Sequence, residues 1–581
     1  MAEAIISPGV FTRENDQSFL SQQPVQAGAA LIGPTVKGPV ETPTVVTSYS
    51  DYKNKFGATF ESGSGTSAQS FTFLTSVAAY NYFQNGGDTL LVTRVVRGDF
   101  ESAEATINDA DDTEAAFKLA TQGKGTLFNS SGTENSDGTL DNGTKDNIRW
   151  EIASRDATAG TFTLAIRRGD DKTNAKTVLE TYSNISLDPY SDNYIEKAIG
   201  NQVLTKMTDS DGLPFLQLSG SYNNRSNYIY VKEVNQQTPN YFDNSGNAKA
   251  AFTPSIPAKA SGSFASGTGE VTFGQAGNAY YHDISSGENI QGLLGSNYAD
   301  AIKLLKNRDA YQFNSLIVPG LLSSMTNGGA PAALTDVASL AIERGDFLGV
   351  LDMVAYGQTN LNNVTSEAGT YDNSYLATYW PWCQVQDPDL GKNVWVPAST
   401  LIPGVFAFND NNAEPWFAPA GLNRGALATV LRTERILTKN DRDVLYSGKV
   451  NPIATFPNAG VVVFGQKTLQ QRASALDRVN VRRLLIQLKG YIGQLAQNLV
   501  FEQNTIATRN SFLSQVNPYL ETVQQRQGLY AFRVVMDDSN NTPDVVDRNQ
   551  LVGQIFLQPT KTAEFIVLDF NVLPTGAEFP A

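Results

Sequence analysis

Short apolar strands alternate with helices in two separate stretches of the chain, and this alternation constrains the fold more than any other feature. Strand-like apolar runs and segments with helical spacing follow one another at residues 29–33, 68–83, 89–96, 299–305, 315–320, 332–344 and 347–352. Helices that separate short apolar strands indicate a partly parallel sheet. We therefore predict an α/β core domain that is formed jointly by residues 27–99 and residues 298–419.

Residues 100–297 break this pattern. They are rich in Asn, Asp, Ser, Gly and Thr, and their short alternating runs, such as 161–167 and 228–234, are separated by turn residues. Residues 99–300 carry 15 basic and 27 acidic side chains, and the whole chain has a net charge of −15. Charge repulsion favours an outward position for such a segment. We predict an inserted β-rich peripheral part, made of two small β domains.

The C-terminal part, residues 420–569, combines a long helix with returning strands. The helix carries an apolar stripe of Leu484, Leu485, Leu488, Ile492, Leu495 and Leu499. Strands are predicted at residues 531–536, 554–557 and 564–568. The chain is thus expected to be an α+β multidomain protein with an α/β core, a helix-rich C-terminal domain and inserted β-rich outer domains.

Both ends of the chain have the composition of arms. Residues 1–26 contain Pro8, Gly9 and Pro24 and have no apolar period, so this segment cannot bury itself alone. Residues 570–581 also lack a nearby partner in sequence. We predict an N-terminal arm over 1–26 and a C-terminal arm over 570–581.

Cysteine and histidine are almost absent, which limits the chemistry available to the chain. Cys383 and His282 are the single examples of their types. One Cys excludes an internal disulfide framework and a Cys-rich zinc site, and one His disfavours a Ser-His-Asp triad.

The sequence contains no run of about 20 apolar residues, so it predicts no membrane span. The first residues lack the pattern of a cleavable signal peptide, so we expect synthesis in a reducing cytosol.

Three motifs resemble ligand sites only superficially. Residues 460–468 nearly match a phosphate-binding loop, but Gln466 separates the second Gly from Lys467, so a buried strand that enters a helix is the preferred interpretation. Residues 209–212 resemble half of a calcium loop, but Met207 stands where the first ligand should be. Cys383 lies beside two Trp residues and is expected to be a packed apolar residue. We predict no catalytic residue, no cofactor and no metal.

One basic stretch stands out in this acidic chain. Residues 420–500 contain twelve Lys and Arg against four Asp and Glu. Arg482, Arg483 and Lys489 lie near the apolar stripe, and a localised basic surface suggests an acidic protein surface as its partner. An acidic chain is a poor general DNA binder, so no nucleic acid is expected. The alternative is that these charges pair within the subunit.

Segments spread along the chain resemble the contractile tail sheath proteins of bacteriophages. Ser-Pro-Gly-Val-Phe at residues 7–11 resembles the N-terminal Pro-Gly-Val of that family, and Trp-Phe-Ala-Pro-Ala-Gly at 416–421 is similar to its aromatic-Ala-Pro-Ala-Gly segment. The remaining matches follow in the family's order at residues 33–39, 82–87, 91–95, 450–453, 464–469, 480–483, 501–505, 541–543 and 564–566. Residues 100–295 carry no matching motif, and the resemblance places variable outer domains there.

The resemblance implies a structural subunit and no enzyme. Such subunits form hexameric rings that stack helically around a tail tube, and contraction drives the tube through the host envelope to deliver the genome. Arms complete a small β-sheet in neighbouring subunits. The implied intersubunit residues are Val10, Phe11, Phe565, Ile566, Val567 and Leu568, and Arg482, Arg483 and Lys489 would face the tube or a neighbouring subunit.

The implied partners are further copies of the chain, the tail tube protein, and the baseplate and tail terminator proteins. No membrane insertion is implied. The expected location is the virion tail, after assembly in the host bacterial cytoplasm. The same core also occurs in pyocins and in type VI secretion sheaths, so a phage-derived contractile injection system is an alternative. Type VI sheaths commonly consist of two chains, whereas this is one long chain.

Two other classes of function remain open at the level of sequence. An envelope glycosidase would need two carboxyl groups about 5–10 Å apart across a sugar cleft. A carbohydrate-binding β protein would suit the composition of residues 100–295, but the missing signal peptide and the long basic helix disfavour it. A sheath protein differs from both because it should polymerise into wide hollow cylinders.

Overall fold

The computed structural model describes residues 25–62, 69–270, 284, 290–326 and 329–564. Its first elements are β1 (Val25–Ala27), β2 (Ala29–Gly33), β3 (Thr44–Val46), α1 (Tyr49–Phe56), β4 (Thr59–Ser62), β5 (Gln69–Thr72), α2 (Leu74–Gln84) and β6 (Leu90–Arg94). The helix predicted over 68–83 begins later than expected, because residues 69–72 pair with β4 in an antiparallel hairpin. Gly86 has a φ of 89°, a left-handed conformation that suits glycine after a helix end.

The insertion is built almost entirely of strands. Its elements are β7 (Ser102–Asn108), β8 (Ala115–Lys124), β9 (Ile148–Asp156), β10 (Thr161–Arg168), β11 (Val178–Ser186), α3 (Ile195–Ile199), β12 (Val203–Thr208), β13 (Pro214–Ser219), β14 (Ile229–Val234) and β15 (Ser261–Ser263). They form one sheet of order β14-β8-β7, a second of order β11-β10-β9-β15, and the separate hairpin β12-β13.

Both larger sheets of the insertion share one hydrophobic core. Phe117 of β8 and Phe162 of β10 are fully buried, and their rings stack with centroids 5.5 Å apart. Residues from both sheets belong to the same buried cluster. The sequence suggested two small β domains, whereas the described strands pack around a single core. The alternating polar and apolar pattern of β7 fits this arrangement, because only its inward side chains are buried.

The second half of the chain returns to alternating helices and strands. Its elements are α4 (Ala299–Leu304), β16 (Tyr311–Phe313), β17 (Ser315–Leu322), α5 (Ala330–Arg344), β18 (Leu348–Asp352), α6 (Leu361–Gly369), β19 (Leu376–Trp380), β20 (Cys383–Gln386), β21 (Asn393–Val396), α7 (Ile402–Asn412), β22 (Val430–Thr433), α8 (Lys439–Ser447), β23 (Asn451–Phe456), β24 (Gly460–Val463), α9 (Val479–Gln497), α10 (Ile506–Gln525), β25 (Leu529–Val535), α11 (Pro543–Asp547) and β26 (Gln554–Pro559).

An eight-stranded mixed sheet joins residues from both sides of the insertion. Its order is β24-β23-β19-β18-β17-β2-β6-β3. The six strands from β23 to β6 are parallel to their neighbours, and β24 and β3 are antiparallel at the two edges. Strands β2, β6, β17, β18 and β19 are buried along their whole length, as expected for a parallel sheet with both faces covered. The partly parallel sheet that the sequence predicts is therefore present.

The insertion is held to this sheet by a buried arginine. Arg94 ends β6, and its Nη1 donates to the carbonyl oxygens of Gly38 at 2.7 Å and Lys124 at 2.9 Å. Its guanidinium carbon lies 5.2 Å from the ring centroid of Phe100. Burial lowers the pKa of Arg94 to about 9. This one side chain therefore ties the last strand before the insertion both to the loop after β2 and to β8.

The C-terminal helices and strands enclose a third hydrophobic cluster. Leu484 and Leu488 of α9 are buried against residues of α10, including Val516 and Leu520. The other four residues of the predicted stripe are partly buried against the same cluster. β25 and β26 form a two-stranded antiparallel sheet beside these helices. Within the described residues, no helix combines the length and the apolar character that a membrane span needs.

Candidate functional site

The loop that resembles a phosphate-binding motif makes its contacts with other residues of the same chain. β24 is buried at Val461, Val462 and Val463, but it leads into a loop and not into a helix, since α9 begins at Val479. The expectation of a strand that enters a helix is therefore wrong in its second half. Lys467 Nζ donates to the carbonyl oxygen of Tyr446 at 2.7 Å and lies 4.1 Å from the centroid of that ring. The amine is thus held against α8.

Cys383 lies fully buried at the start of β20. Its thiol approaches the carbonyl oxygen of Pro381 at 3.7 Å, and burial raises the pKa of the thiol above its usual range. The predicted role as a packed residue is confirmed. His282 lies outside the described residues. Among the residues that the structure describes, no group of three or more His, Cys, Asp or Glu side chains could hold a metal ion.

Asp352 is a buried carboxyl group of the core, and Glu434 is half-buried. Asp352 ends β18; its two carboxylate oxygens accept hydrogen bonds from the Ser399 hydroxyl at 2.5 Å and the Ser399 amide at 3.1 Å. Burial raises the pKa of Asp352 to about 7 and the pKa of Glu434 to about 7. Because Asp352 is only 4% exposed, it does not reach a sugar cleft as a glycosidase carboxylate must. Its raised pKa reflects burial within the core.

Arg482 and Arg483 lie in the first half of α9, turned towards the core. Arg482 donates to the Ser374 hydroxyl, and its guanidinium carbon is 3.9 Å from the Tyr375 ring centroid. Arg483 pairs with Asp410 and lies 4.5 Å from the Phe406 ring centroid. Both arginines are buried. Arg483 therefore has an acidic partner in its own chain, as in the alternative in which the charges pair within the subunit, whereas Arg482 contacts a hydroxyl group and an aromatic ring.

Lys489 lies two turns further along α9 and is exposed. Its Nζ donates to the Tyr375 hydroxyl at 2.9 Å. Of the three basic residues, Lys489 therefore has the side chain most available to a partner, and contact with the tube or a neighbouring subunit stays a prediction. Ser374, Tyr375, Phe406 and Asp410 could not be predicted as partners from the sequence, because each lies more than 70 residues from the basic residue that it contacts.

The sheet of β25 and β26 has two open edges. Within the described residues, each of these strands pairs only with the other. Tyr530 is 63% exposed and Phe556 is 57% exposed, although both belong to strands. One face of the sheet packs on the third hydrophobic cluster through Phe532, Val534, Ile555 and Leu557. Its two unpaired edges are of the kind on which a further strand can pair.

The two predicted arms lie at the limits of the described residues, which run from residue 25 to residue 564. β1 pairs in parallel with β16 and contains Val25 and Gln26, so the last two residues of the predicted N-terminal arm belong to a strand. Thr560 follows β26 and donates to the carbonyl oxygen of Gln527 at 2.7 Å, which keeps the start of the last described segment beside the small sheet. The predicted arm residues Val10, Phe11, Phe565, Ile566, Val567 and Leu568 lie outside the described residues.

Two domain families match consecutive parts of the chain. Residues 295–469 match the phage tail sheath protein central domain, and residues 471–572 match the phage tail sheath C-terminal domain. The first match covers β17, β18 and β19 of the large sheet. The second covers α9, α10 and the two-stranded sheet. The insertion lies outside both matches.

Curated tail sheath proteins of bacteriophages are similar to this chain. The tail sheath protein of Vibrio phage KVP40 is 40% identical over 217 residues, which are 37% of this chain and 31% of that protein. The tail sheath protein of Enterobacteria phage T4 is 36% identical over 225 residues, which are 39% of this chain and 33% of that protein. The matched part thus spans about one third of the length of these relatives.

A solved structure shows a similar fold over nearly the whole chain. The crystal structure of the sheath tail protein from Listeria innocua covers 93% of this chain and 96% of its own, with a TM-score of 0.50 and 10% sequence identity. The mixed helix and sheet fold with several sheets is thus shared with a sheath protein. Together with the family matches, this confirms the resemblance seen in the sequence: residues 295–572 carry the central and C-terminal domains of the phage tail sheath family.

Proposed function

We propose that this chain is the structural subunit of a contractile phage tail sheath. It polymerises as stacked hexameric rings around a tail tube, and its contraction drives the tube through the host envelope. The observation that carries the proposal is the match of residues 295–572 to both tail sheath domains. The open sheet of β25 and β26, which lies within that match, supplies a surface suited to polymerisation. No catalytic step and no cofactor are required.

Strand addition is the proposed link between subunits. Val10 and Phe11 of one arm and Phe565, Ile566, Val567 and Leu568 of the other are the proposed donors to the open edges of β25 and β26. Main-chain hydrogen bonds give such addition its strength, and they tolerate sequence differences. Linked arms keep subunits together while rings slide and rotate, so contraction can be a shift between two packings of the same subunits.

The domains take separate roles in this proposal. Residues 27–99 and 298–419 form most of the core, and β23 and β24, from residues 420–569, complete its large sheet. The remainder of residues 420–569 forms the inner assembly domain, residues 100–297 lie at the periphery, and residues 1–26 and 570–581 are the linking arms. The tail tube, baseplate and tail terminator proteins are the proposed partners. The proposed location is the virion tail, after assembly in the host cytoplasm.

Electron microscopy of the purified full chain tests the proposal. We expect wide hollow cylinders whose averaged images show six-fold rings, formed by the chain alone or on added tail tubes. Dispersed particles at all concentrations, with and without tubes, would contradict the proposal. A Tyr530→Pro variant is a useful comparison, because proline removes a backbone donor from β25 and should reduce strand addition.

A further inference from the structure

One carboxylate near the end of the described chain is held by three side chains. Arg478 donates to Glu564 in a bidentate manner, with Nε 2.6 Å from Oε1 and Nη2 3.0 Å from Oε2. The Tyr446 hydroxyl donates to Oε2 at 2.9 Å, and Gln466 Nε2 donates to Oε1 at 3.1 Å. Four hydrogen bonds to one carboxylate, two of them from a guanidinium, make a strong and directional contact.

The three donors come from different parts of the core. Tyr446 lies on α8, Gln466 follows β24, and Arg478 precedes α9. Gln466 is 3% exposed, and the side chains of Arg478 and Glu564 are 25% and 17% exposed. Partial burial strengthens the pair relative to a surface ion pair, because less water competes for the same groups. We call these three residues with Glu564 the Glu564 clamp.

The clamp ends a short strap that crosses from the small sheet to the core. Thr560 is hydrogen bonded beside β25, as described above, and Thr562 Oγ1 accepts a hydrogen bond from Gln466 Nε2 at 2.6 Å. Residues 560–564 therefore leave the two-stranded sheet and dock on the core at Glu564. A simple connecting segment would not need the four side-chain hydrogen bonds that Glu564 accepts.

We propose that Glu564 is a positioning residue for assembly: the clamp fixes the point at which the C-terminal arm leaves the core and so presents the arm to a neighbouring subunit. This inference rests on the proposed function. An arm with a fixed root loses fewer conformations on strand addition than an arm that starts at β26, so the clamp favours exchange between subunits.

The test compares Glu564→Gln with Glu521→Gln in the full chain. The first variant keeps the size of the side chain but removes the charge. Glu521 is exposed on α10 and makes no side-chain bond within the described residues, so its variant is a matched control. We expect Glu564→Gln to raise the protein concentration needed for cylinder formation roughly tenfold, the scale of one lost charge-assisted contact. Glu521→Gln should polymerise as the unchanged chain does.

Limited proteolysis and a double variant make the test specific. In unpolymerised Glu564→Gln, trypsin should cleave faster after Lys561, which is exposed in the strap, while hydrogen exchange shows that β17 and β18 of the core keep their protection. Arg478→Gln should act in the same direction. The double variant should be no worse than either single variant, because both remove one interaction.

Two results would overturn the inference. Unchanged cleavage after Lys561 in Glu564→Gln would show that the clamp does not hold the strap. Faster cleavage with an unchanged polymerisation threshold would show that the clamp holds the strap but does not control assembly. If the unchanged chain forms no cylinders, the proposed function fails; the cleavage measurement on the monomer still reports whether the clamp exists.

Discussion

Single arginine side chains join parts of this protein that are distant in sequence. Arg94 connects the core to the insertion, Arg483 connects α9 to α7, and Arg478 connects the core to the C-terminal strap. The guanidinium group suits this role because it has five donors in one plane and a flat face that stacks on aromatic rings. A lysine has one ammonium group and lacks this planar fork of donors, so it cannot reproduce the same geometry.

Replacement of Arg94 tests this role in the folded monomer. We expect Arg94→Met to lower the free energy of unfolding by about 2 kcal/mol, because two buried carbonyl oxygens lose their donor. Arg94→Lys should give an intermediate loss, since an ammonium can reach one of the carbonyls. Arg97→Met is the control, because Arg97 is exposed. Urea unfolding measures all three variants, and equal stability of Arg94→Met and the unchanged chain would contradict the assignment.

Asp352 should make the core less stable as pH rises. Burial raises its folded-state pKa to about 7, whereas its ordinary value is 3.8. Between these values the folded chain keeps a proton that the unfolded chain has released, so stability falls with rising pH by up to about 1.4 kcal/mol per pH unit. Above about pH 7 both states are ionised and the loss is complete.

An Asp352→Asn variant isolates this effect. Its stability relative to the unchanged chain should increase from about pH 4 to about pH 7 and then level off, because Asn does not titrate. The comparison cancels other carboxylates, such as Asp441, whose pKa is lowered by backbone hydrogen bonds. Asp443→Asn, at an exposed position of α8, is the control and should show no such trend. A constant difference between Asp352→Asn and the unchanged chain would refute the buried-proton account.

Lys489 is the residue at which the predicted contact of α9 can be tested without damage to the fold. Reversal of Arg483 would place a second acid beside Asp410, so it would confuse folding with assembly. Lys489→Glu should leave the unfolding free energy within about 0.5 kcal/mol. We expect it to weaken assembly on tail tubes at low salt, with a smaller difference from the unchanged chain at high salt. Normal tube assembly at low salt would exclude a tube-facing role for Lys489.

At the scale of elements, local sequence pattern located most of the helices and strands that were predicted individually. It did not predict which residues those elements contact. The stripe on α9, the αL glycine at position 345 after α5, and the apolar runs of β17 and β18 follow from short-range spacing. The start of α2 could not be predicted from spacing, because hairpin pairing between β4 and β5 outweighs the helical spacing over residues 69–72. The partners of Arg482 and the Glu564 clamp depend on tertiary packing and have no local signal.

The C-terminal arm should be needed for polymerisation and not for folding. Deletion of residues 570–581 removes none of the described contacts, so the monomer should keep its unfolding free energy. We expect this truncated chain to form no cylinders, because the proposed donor residues 565–568 would then lie at the very end of the chain and lose the arm that anchors them in the neighbouring subunit. Sedimentation separates monomer from polymer, and circular dichroism checks the fold. Normal cylinders from the truncated chain would rule out the arm as an essential link.

At the scale of the whole molecule, the insertion is a unit with its own core. The chain leaves the domain of the large sheet after β6 and returns to it at β17. The buried cluster of its strands is separate from the cluster that surrounds the sheet, whereas Ile284, Ile290 and Leu293, near the end of the predicted insertion, belong to the cluster around the sheet. The ties between the two clusters are mainly polar: besides Arg94, they include ion pairs of Lys206 with Asp300 and of Lys37 with Asp146. A separate core, polar ties and the excess of acidic residues fit a peripheral unit.

Replacement of residues 100–270 by a short Gly/Ser linker should therefore leave a chain that folds and assembles, whereas residues 284–297 must stay because Ile284, Ile290 and Leu293 belong to the core around the large sheet. The large sheet keeps all eight strands, since none of them lies in the removed segment. Arg94 loses the Lys124 carbonyl and the Phe100 ring, but its guanidinium becomes accessible to water, so no buried charge is left without a partner. Hexameric rings in electron micrographs are the expected result. A soluble, folded core that forms no rings at any concentration would show that the insertion contributes an essential contact between subunits.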